Sequence, residues 1–393
     1  MCKKSIAILL ALAGLLSLSA CWDNVEISKL LIVAGIGLDV DDAGKVYHAT
    51  VEIVNVQADG GENIAAEIVE GDGITIHSAI QNAMLMTGGT MFSNHCKVIV
   101  IGDKLARRGI NEVVDMILRS PDFRKTVDVL VAKDATAKSI LKKKTVKNDI
   151  LCYELSKILD SNAKTMENTI AAGVYQIHEV LISDCAYFVA PAVYARENNG
   201  GDVLEVEGCA VFTEDKLQGF LDGAQSKLLN IVVHDGSNST IAIKNAALSK
   251  HPIDVKITKS DVYLTPSLQG DVPRIKVFIR AEATLEGALL PHANLADDRT
   301  TEQLQSSING QLSAGVKELV AEVQSQCGSD IFEFYREFED SYRWEWPGLQ
   351  RDWSTRFRGM EVSVASDVWI TGSGLVGNYA PKAGDQDTAN ALP

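Results

Sequence analysis

A cysteine that directly follows a short apolar segment is the residue whose setting points most clearly to chemistry. Lys3 and Lys4 precede an apolar run over Ile6–Leu18, and Leu18-Ser19-Ala20-Cys21 comes at its end. A positive start, a short apolar core and small residues at a cleavage point are typical of a secretory signal. The apolar core of about 13 residues is too short for a membrane span, which needs about 20. The ending matches a bacterial lipobox, which predicts that the Cys21 thiol takes a diacylglyceryl group and becomes the new amino terminus. The alternative is an ordinary secreted protein with an incidental cysteine.

A second candidate site is an acidic turn early in the chain. Asp39, Asp41 and Gly44 are spaced like the start of a calcium-binding loop, but Ala43 and Thr50 stand where such a loop needs oxygen ligands. Calcium takes six or more oxygens, which this segment does not supply. We therefore interpret it as a solvated turn.

The remaining patterns give no catalytic constellation. Gly35-Ile36-Gly37 lacks the third glycine of a dinucleotide fingerprint, and the chain has no H-E-x-x-H, G-x-S-x-G or P-loop sequence. His95 and Cys96 are adjacent, so in a strand they would face opposite sides and not pair. The tryptophans near the carboxyl end, Trp344, Trp346 and Trp353, predict a core edge, with a ligand or partner surface as the alternative.

Charge and cysteine content restrict the class of protein. The formal charge is −15 over 393 residues, and loss of Lys3 and Lys4 with the leader takes it to about −17, which does not suit nucleic acid or an anionic lipid surface. The cysteines beyond Cys21 are odd in number and form no C-x-x-C pair, a poor disulfide framework. We interpret them as core thiols, with room for one disulfide, and they are Cys96, Cys152, Cys185, Cys209 and Cys327.

The elements that must position these residues mix strands and helices. In the first half, apolar spacing predicts a hairpin of two strands over Leu30–Leu38 and Val46–Val56, and two further strands over Lys97–Ile101 and Thr126–Ala132. It also predicts a helix capped by Asn111 and helices over Thr75–Met86, Ala135–Lys142, Asp149–Ser161 and Thr169–Leu181. The second half predicts strands over Val203–Phe212, Lys216–Leu221, Lys227–Val233, Thr240–Asn245, Ile253–Ile257 and Arg274–Leu285. An amphipathic helix follows, with one apolar stripe that runs from Leu304 to Val323, and the final strand is Met360–Thr371.

These elements predict an α+β, multi-domain protein with mixed sheets and packed helices, not a doubly wound Rossmann-like fold. The polar, glycine-rich stretch Arg196–Gly201 is the predicted domain boundary. The expected division is a signal peptide over 1–20, an amino-terminal domain over 21–198, a carboxyl-terminal domain over 202–375 and a disordered tail over 376–393.

Four segments resemble the GerAC-type, or Ger(x)C, spore germination lipoproteins, the C subunits of nutrient germinant receptors. They are Cys21-Trp22-Asp23 with Glu26-Ile27 and Leu31–Asp39; His95–Gly102 with Leu105–Ile110, Asp115, Arg119, Pro121 and Arg124; Glu207–Phe212 with Asp215–Leu217 and Gly219–Leu221; and Ser329–Phe332 with the later tryptophans and Gly372. The chain departs from the family pattern in its short stretch after Leu221 and in its tail.

The resemblance implies a non-enzymatic receptor subunit without cofactor or metal, anchored through Cys21 on the outer face of the spore inner membrane. It implies integral membrane A and B subunits as partners, and acylation such as palmitate at the anchor. It leaves open whether this subunit contacts the germinant. Arg107, Arg108, Asp115, Arg119 and Arg124 are interpreted as structural ion pairs, with an interface as the alternative.

Two other classes of protein compete with this interpretation. A lipid-tethered solute-binding protein would capture a small nutrient in a cleft between two doubly wound lobes, which the irregular order of elements disfavours. An extracytoplasmic hydrolase would need an activated nucleophile or a metal, and no such grouping is visible in the sequence.

Overall fold

A computed structural model describes residues 30–55, 65–143, 150–198, 201–234, 236, 238–244, 252–287 and 298–372. Within these ranges the chain forms two mixed sheets, each packed against helices. The predicted α+β class with mixed sheets is confirmed.

In the part of the chain that is described, nine strands form the first sheet. Their bounds are β1 Leu30–Val40, β2 Tyr47–Asn55, β3 Ala65–Gly73, β4 Thr90–Phe92, β5 Val98–Gly102, β6 Asp128–Ala132, β7 Tyr187–Asn198, β8 Gly201–Thr213 and β9 Lys216–Leu221. The order across the sheet is β3-β2-β1-β5-β6-β7-β8-β9, and β4 pairs with the start of β1. The centre, from β1 to β7, is parallel, and both flanks are antiparallel.

Helices cover both faces of this sheet, since a parallel centre must be buried on two sides. They are α1 Ile76–Met84, α2 Asp103–Arg108, α3 Asn111–Arg119, α4 Ala137–Leu141, α5 Leu151–Ser161 and α6 Val174–Leu181. In β5, Ile99 and Ile101 face the core shared with α1, α2, α3 and α6, whereas Val98 and Val100 face α4 and α5. The continuous apolar run of β5 thus fills two cores with alternate residues.

Gly35 and Gly37 of β1 allow α5 and α4 to approach the sheet closely. A Cβ at Gly35 would lie 2.3 Å from Cys152 Sγ, and one at Gly37 would lie 2.7 Å from a methyl group of Leu141. Gly35 and Gly37, which lack the third glycine of a dinucleotide-binding fingerprint, therefore serve the packing of helices on the sheet.

The second sheet has four strands among the described residues, in the order β10-β11-β12-β13. Their bounds are β10 Thr240–Ile243, β11 Ile253–Gln269, β12 Val272–Gly287 and β13 Glu361–Gly372. The helices of this half are α7 Gly223–Val233, α8 Asp298–Gln326, α9 Phe334–Ser341, α10 Trp346–Leu349 and α11 Trp353–Gly359. The predicted stripe of α8 is buried against this sheet. Asn309 and Gln305 of α8 also accept hydrogen bonds from the N–H groups of Val368 and Ile370, which blocks part of the β13 edge.

The first sheet continues through the predicted boundary. β8 and β9 pair with β7 in that sheet, and Cys209 and Leu221 share a core with the second sheet. The division of the chain into domains at residues 198 and 202 stays a prediction.

Three sequence-based assignments are wrong. Lys227–Val233 is not a strand but the last part of α7, which starts with a capping box between Asp222 and Gln225. Asn111 does not cap α3, because Ile110 occupies the cap position and Asp215 accepts from the Asn111 N–H at 3.3 Å. Cys96 lies just before β5, after a single 3₁₀ turn, and not inside a strand.

Candidate functional site

The predicted lipidation residue Cys21 lies outside the described residues, so its modification stays a prediction. The described chain begins at Leu30, at the start of β1, where Leu30 pairs with Thr90 of β4. We call this side of the first sheet the amino edge, because the parallel strands β1, β4, β5 and β6 all begin there.

Among the described residues, three buried carboxylates repeat one arrangement. Asp39 accepts hydrogen bonds from the first two N–H groups of α4, at 2.8 and 2.9 Å, and Glu52 from the first two of α5, at 2.7 Å each. Asp330 accepts from the first two N–H groups of α9, at 3.2 and 2.8 Å, and from Trp353 Nε1 at 2.9 Å. A carboxylate at a helix amino terminus satisfies unpaired N–H groups and complements the helix dipole. These acids hold helices in place.

Burial is the main influence on the titration of two of these acids. It raises the pKa of Asp39, against the opposing effect of the hydrogen bonds from α4. It raises the pKa of Asp330 to about 6, against the bonds from Trp353, Tyr335 and Phe334. The acidic turn is confirmed as a turn, since Asp41 Oδ1 accepts from the N–H groups of Lys45 and Val46.

The five cysteines of the described ranges are buried and free of disulfide bonds. Burial raises the pKa of Cys96 and of Cys185 to about 12, and that of Cys152 well above its ordinary value. Since the thiolate is the nucleophile, these thiols are unreactive at neutral pH. His95 is exposed whereas Cys96 is buried, so the two do not form a catalytic pair.

The aromatic cluster is mostly core. Trp353 and Trp346 are buried and pack edge to face, with their ring centroids 5.3 Å apart. The ring centroid of Phe338 lies 5.2 Å from that of Trp353. Trp344 differs, because it is 95% exposed. The core interpretation is confirmed for Trp346 and Trp353, whereas the Trp344 side chain is open to a partner.

The basic residues after β5 form separate local pairs. Arg107 bonds Asp103 at 2.8 Å, and Arg119 bonds Asp115 at 2.7 Å, each one turn along its own helix. Arg108 lies over the Tyr47 ring at 5.0 Å. These contacts favour the structural interpretation of the set, except for Arg124, which lines a pocket.

That pocket is polar, has a volume of about 170 Å³ and lies at the amino edge. Lys97 and Arg124 supply positive charges, and Asp128 and Asp160 supply negative ones. Burial, followed by repulsion from Asp160, raises the pKa of Asp128 to about 6. The arrangement offers both charges to a small polar molecule.

An apolar groove of about 500 Å³ lies on the same edge, between α1, β4 and the end of α3. Its walls include Met84, Leu85, Met91, Met116 and Phe123. No local pattern in the sequence predicts this groove, because its lining comes from three separate segments.

The described ranges hold neither a cluster of metal-ligand side chains nor a helix suited to a membrane span. No cluster of three or more His, Cys, Asp or Glu side chains there is arranged to hold a metal ion. None of the helices in those ranges combines the length and apolar character that a bilayer crossing needs.

Comparison with known proteins gives matches along nearly the whole chain. The model for the spore germination protein N-terminal domain matches residues 23–192, and that for the spore germination B3/GerAC-like C-terminal domain matches residues 207–374. Spore germination protein KC of Bacillus subtilis is 22% identical over 407 residues, which cover 96% of this chain and 98% of the relative. Spore germination protein B3 of the same species is 20% identical, with 92% and 96% covered.

A solved structure shares the fold. The crystal structure of the GerBC protein aligns with a TM-score of 0.54 and 16% identity, over 86% of this chain and 97% of that one. Since the two family models together match well over half of the residues, this chain belongs to the Ger(x)C, or GerAC-like, family of spore germination proteins.

Proposed function

We propose that this chain is the lipid-anchored C subunit of a nutrient germinant receptor and contributes by assembly, without catalysis of its own. The observation that carries the proposal is the order of features in the sequence. The lipobox cysteine Cys21 stands two residues before the first family match, and the two matches then follow through residue 374.

The non-enzymatic role is supported by how the described acids and thiols are used. Asp39, Glu52 and Asp330 accept hydrogen bonds from helix N–H groups, and the cysteines are buried. A hydrolytic mechanism needs a base or nucleophile that can reach substrate, and these groups are already engaged in the fold.

The anchor gives the body a physical means of acting beside membrane partners. One acyl chain binds a bilayer marginally and two bind durably. Confinement to the outer face of the spore inner membrane raises the effective concentration of the body near the integral A and B subunits. We propose that it stabilises their assembly through protein surfaces.

The test is substitution of Cys21 with a matched control in the leader. Cys21→Ala should prevent diacylglyceryl attachment, release the folded body from the membrane fraction and slow germination, whereas Cys2→Ala should leave all three unchanged. Mass spectrometry of the native polypeptide should find a lipidated Cys21 amino terminus. An intact leader, or full membrane retention and germination of the Cys21→Ala variant, would contradict the proposal.

The polar pocket favours a second candidate, a lipid-tethered binder of a small nutrient. Lys97 and Arg124 oppose Asp128 and Asp160 in a volume that admits a small zwitterion. Isothermal titration calorimetry of the chain with amino acids and sugars tests this candidate. Binding with a micromolar Kd that is lost in Asp128→Ala would favour a nutrient-binding protein, and the absence of any heat of binding would favour the assembly role.

A further inference from the structure

The turn that follows α1 presents apolar side chains to solvent. Leu85 is 78% exposed and Met86 is 73% exposed, although both are large and apolar. Leu85 lines the apolar groove together with Met84 and Met91, and Met86 is the next residue along the turn. Contiguous exposed apolar surface is typical of sites that contact a protein, a membrane or a ligand.

The surrounding sequence is free of formal charge. No Lys, Arg, Asp or Glu occurs between Gly73 and Cys96, in a chain that is 23% charged. Four of the seven methionines belong to this turn or groove, namely Met84, Met86, Met91 and Met116. A segment without charged side chains avoids the large free-energy cost of moving an ion out of water, and methionine adapts its shape to irregular apolar surroundings.

The position of the turn places it near the expected lipid. β4 runs parallel to β1, with Thr90 opposite Leu30, so the turn before β4 and the segment before β1 reach the sheet at the same end. Leu30 is nine positions after Cys21, which limits the distance between the two residues to about 30 Å. The start of β1, with its neighbour Thr90, is the part of the amino edge that this limit keeps near the anchored cysteine.

We infer that Leu85 and Met86 insert into the boundary between headgroups and acyl chains of the bilayer that holds the anchor. This inference rests on the proposed lipidation of Cys21 and deepens it, because a second contact fixes which side of the body faces the membrane. Insertion is apolar and not led by charge, since Lys97 and Arg124 at this edge are offset by Asp122 and Asp128.

A fluorescent probe at the turn tests the inference with the full lipidated chain. Met86→Cys and the control Val272→Cys, a 53% exposed apolar position at the tip of the β11–β12 hairpin, are labelled with an environment-sensitive maleimide. The label goes to the new cysteine, because the five cysteines of the described ranges are buried. Each protein is reconstituted in phosphatidylethanolamine–phosphatidylglycerol vesicles that contain a nitroxide lipid.

The expected result is several-fold stronger nitroxide quenching at Met86→Cys than at Val272→Cys, unchanged by added salt and reduced when Leu85→Asp is added. Equal quenching at the two positions in vesicles that float with bound protein overturns the inference and leaves the anchor intact. Protein that does not float overturns both. A third outcome also overturns the inference: the probe is not quenched in vesicles of lipid alone and is shielded from water only when the A and B subunits are present. Leu85 and Met86 would then contact a protein and not the bilayer.

Discussion

Replacement of Asp330 by alanine should strongly destabilise the second half of the protein. The residue is completely buried, and its carboxylate accepts from two N–H groups of α9 and from Trp353 Nε1. Truncation leaves three buried donors without partners, at about 1–3 kcal/mol each. Because side chains relax and water enters in part, we expect a loss of about 4 kcal/mol in the free energy of unfolding at pH 7.

Urea unfolding followed by tryptophan fluorescence measures this loss, since Trp346 and Trp353 lie in the affected core. Asp340→Ala is the matched control, because Asp340 is an exposed aspartate on the same helix, and its effect should stay within about 0.5 kcal/mol. Equal unfolding midpoints for Asp330→Ala and Asp340→Ala would refute the capping role.

The pH dependence gives an independent check on the same residue. Its pKa is about 6 in the folded protein against 3.8 for an unperturbed carboxyl, so protonation adds stability to that of the capping hydrogen bonds. This added stability is complete below pH 3.8 and is lost as the pH rises through 6. The wild-type protein should therefore gain about 1 kcal/mol between pH 7 and pH 5 relative to Asp330→Asn, which does not titrate. Parallel stability curves for the two proteins would show that the carboxyl is not perturbed.

Other expectations follow from close packing and from buried groups. Gly35→Ala should destabilise the protein by several kcal/mol, because its Cβ would overlap Cys152. Gly310→Ala, at an open position on α8, should be neutral or stabilising by about 0.5–1 kcal/mol. Chemical denaturation compares the two variants, and equal stabilities would contradict the packing argument. Val98→Asp should cost several kcal/mol by placing a charge in a fully buried strand, and an unchanged melting temperature would show that β5 is misassigned. The five buried thiols should react with a thiol reagent only in denaturant, and fast labelling of the native protein would contradict their raised pKa values.

Much of the fold was accessible to local sequence patterns. The β1–β2 hairpin follows from two apolar runs around an acidic turn, and β5 follows from a short run without polar interruption. The stripe on α8 has helical spacing over five turns. Each pattern reports the burial of one element and therefore depends little on where its neighbours lie.

Local patterns failed where two readings share the same residues. The apolar run over Lys227–Val233 fits a buried strand or a helix, and the capping box at Asp222 and Gln225 was the signal that separates them. The polar, glycine-rich stretch Arg196–Gly201 predicted a linker, but β7 and β8, which lie on its two sides, pair as neighbours in one sheet.

The sequence by itself determined most of the buried strands, the amphipathic helices, the burial of the cysteines and the expectation of a lipidated Cys21, because these depend on the composition and spacing of neighbouring residues. Only the tertiary structure decided that Asp39 and Glu52 cap helices about 100 positions away, and that β4, which follows the turn at Leu85, pairs with the start of β1. The physical reason is that the packing of the whole sheet selects hydrogen-bond partners and strand neighbours that are far apart in the chain. The pattern of neighbouring residues in the sequence does not specify that packing.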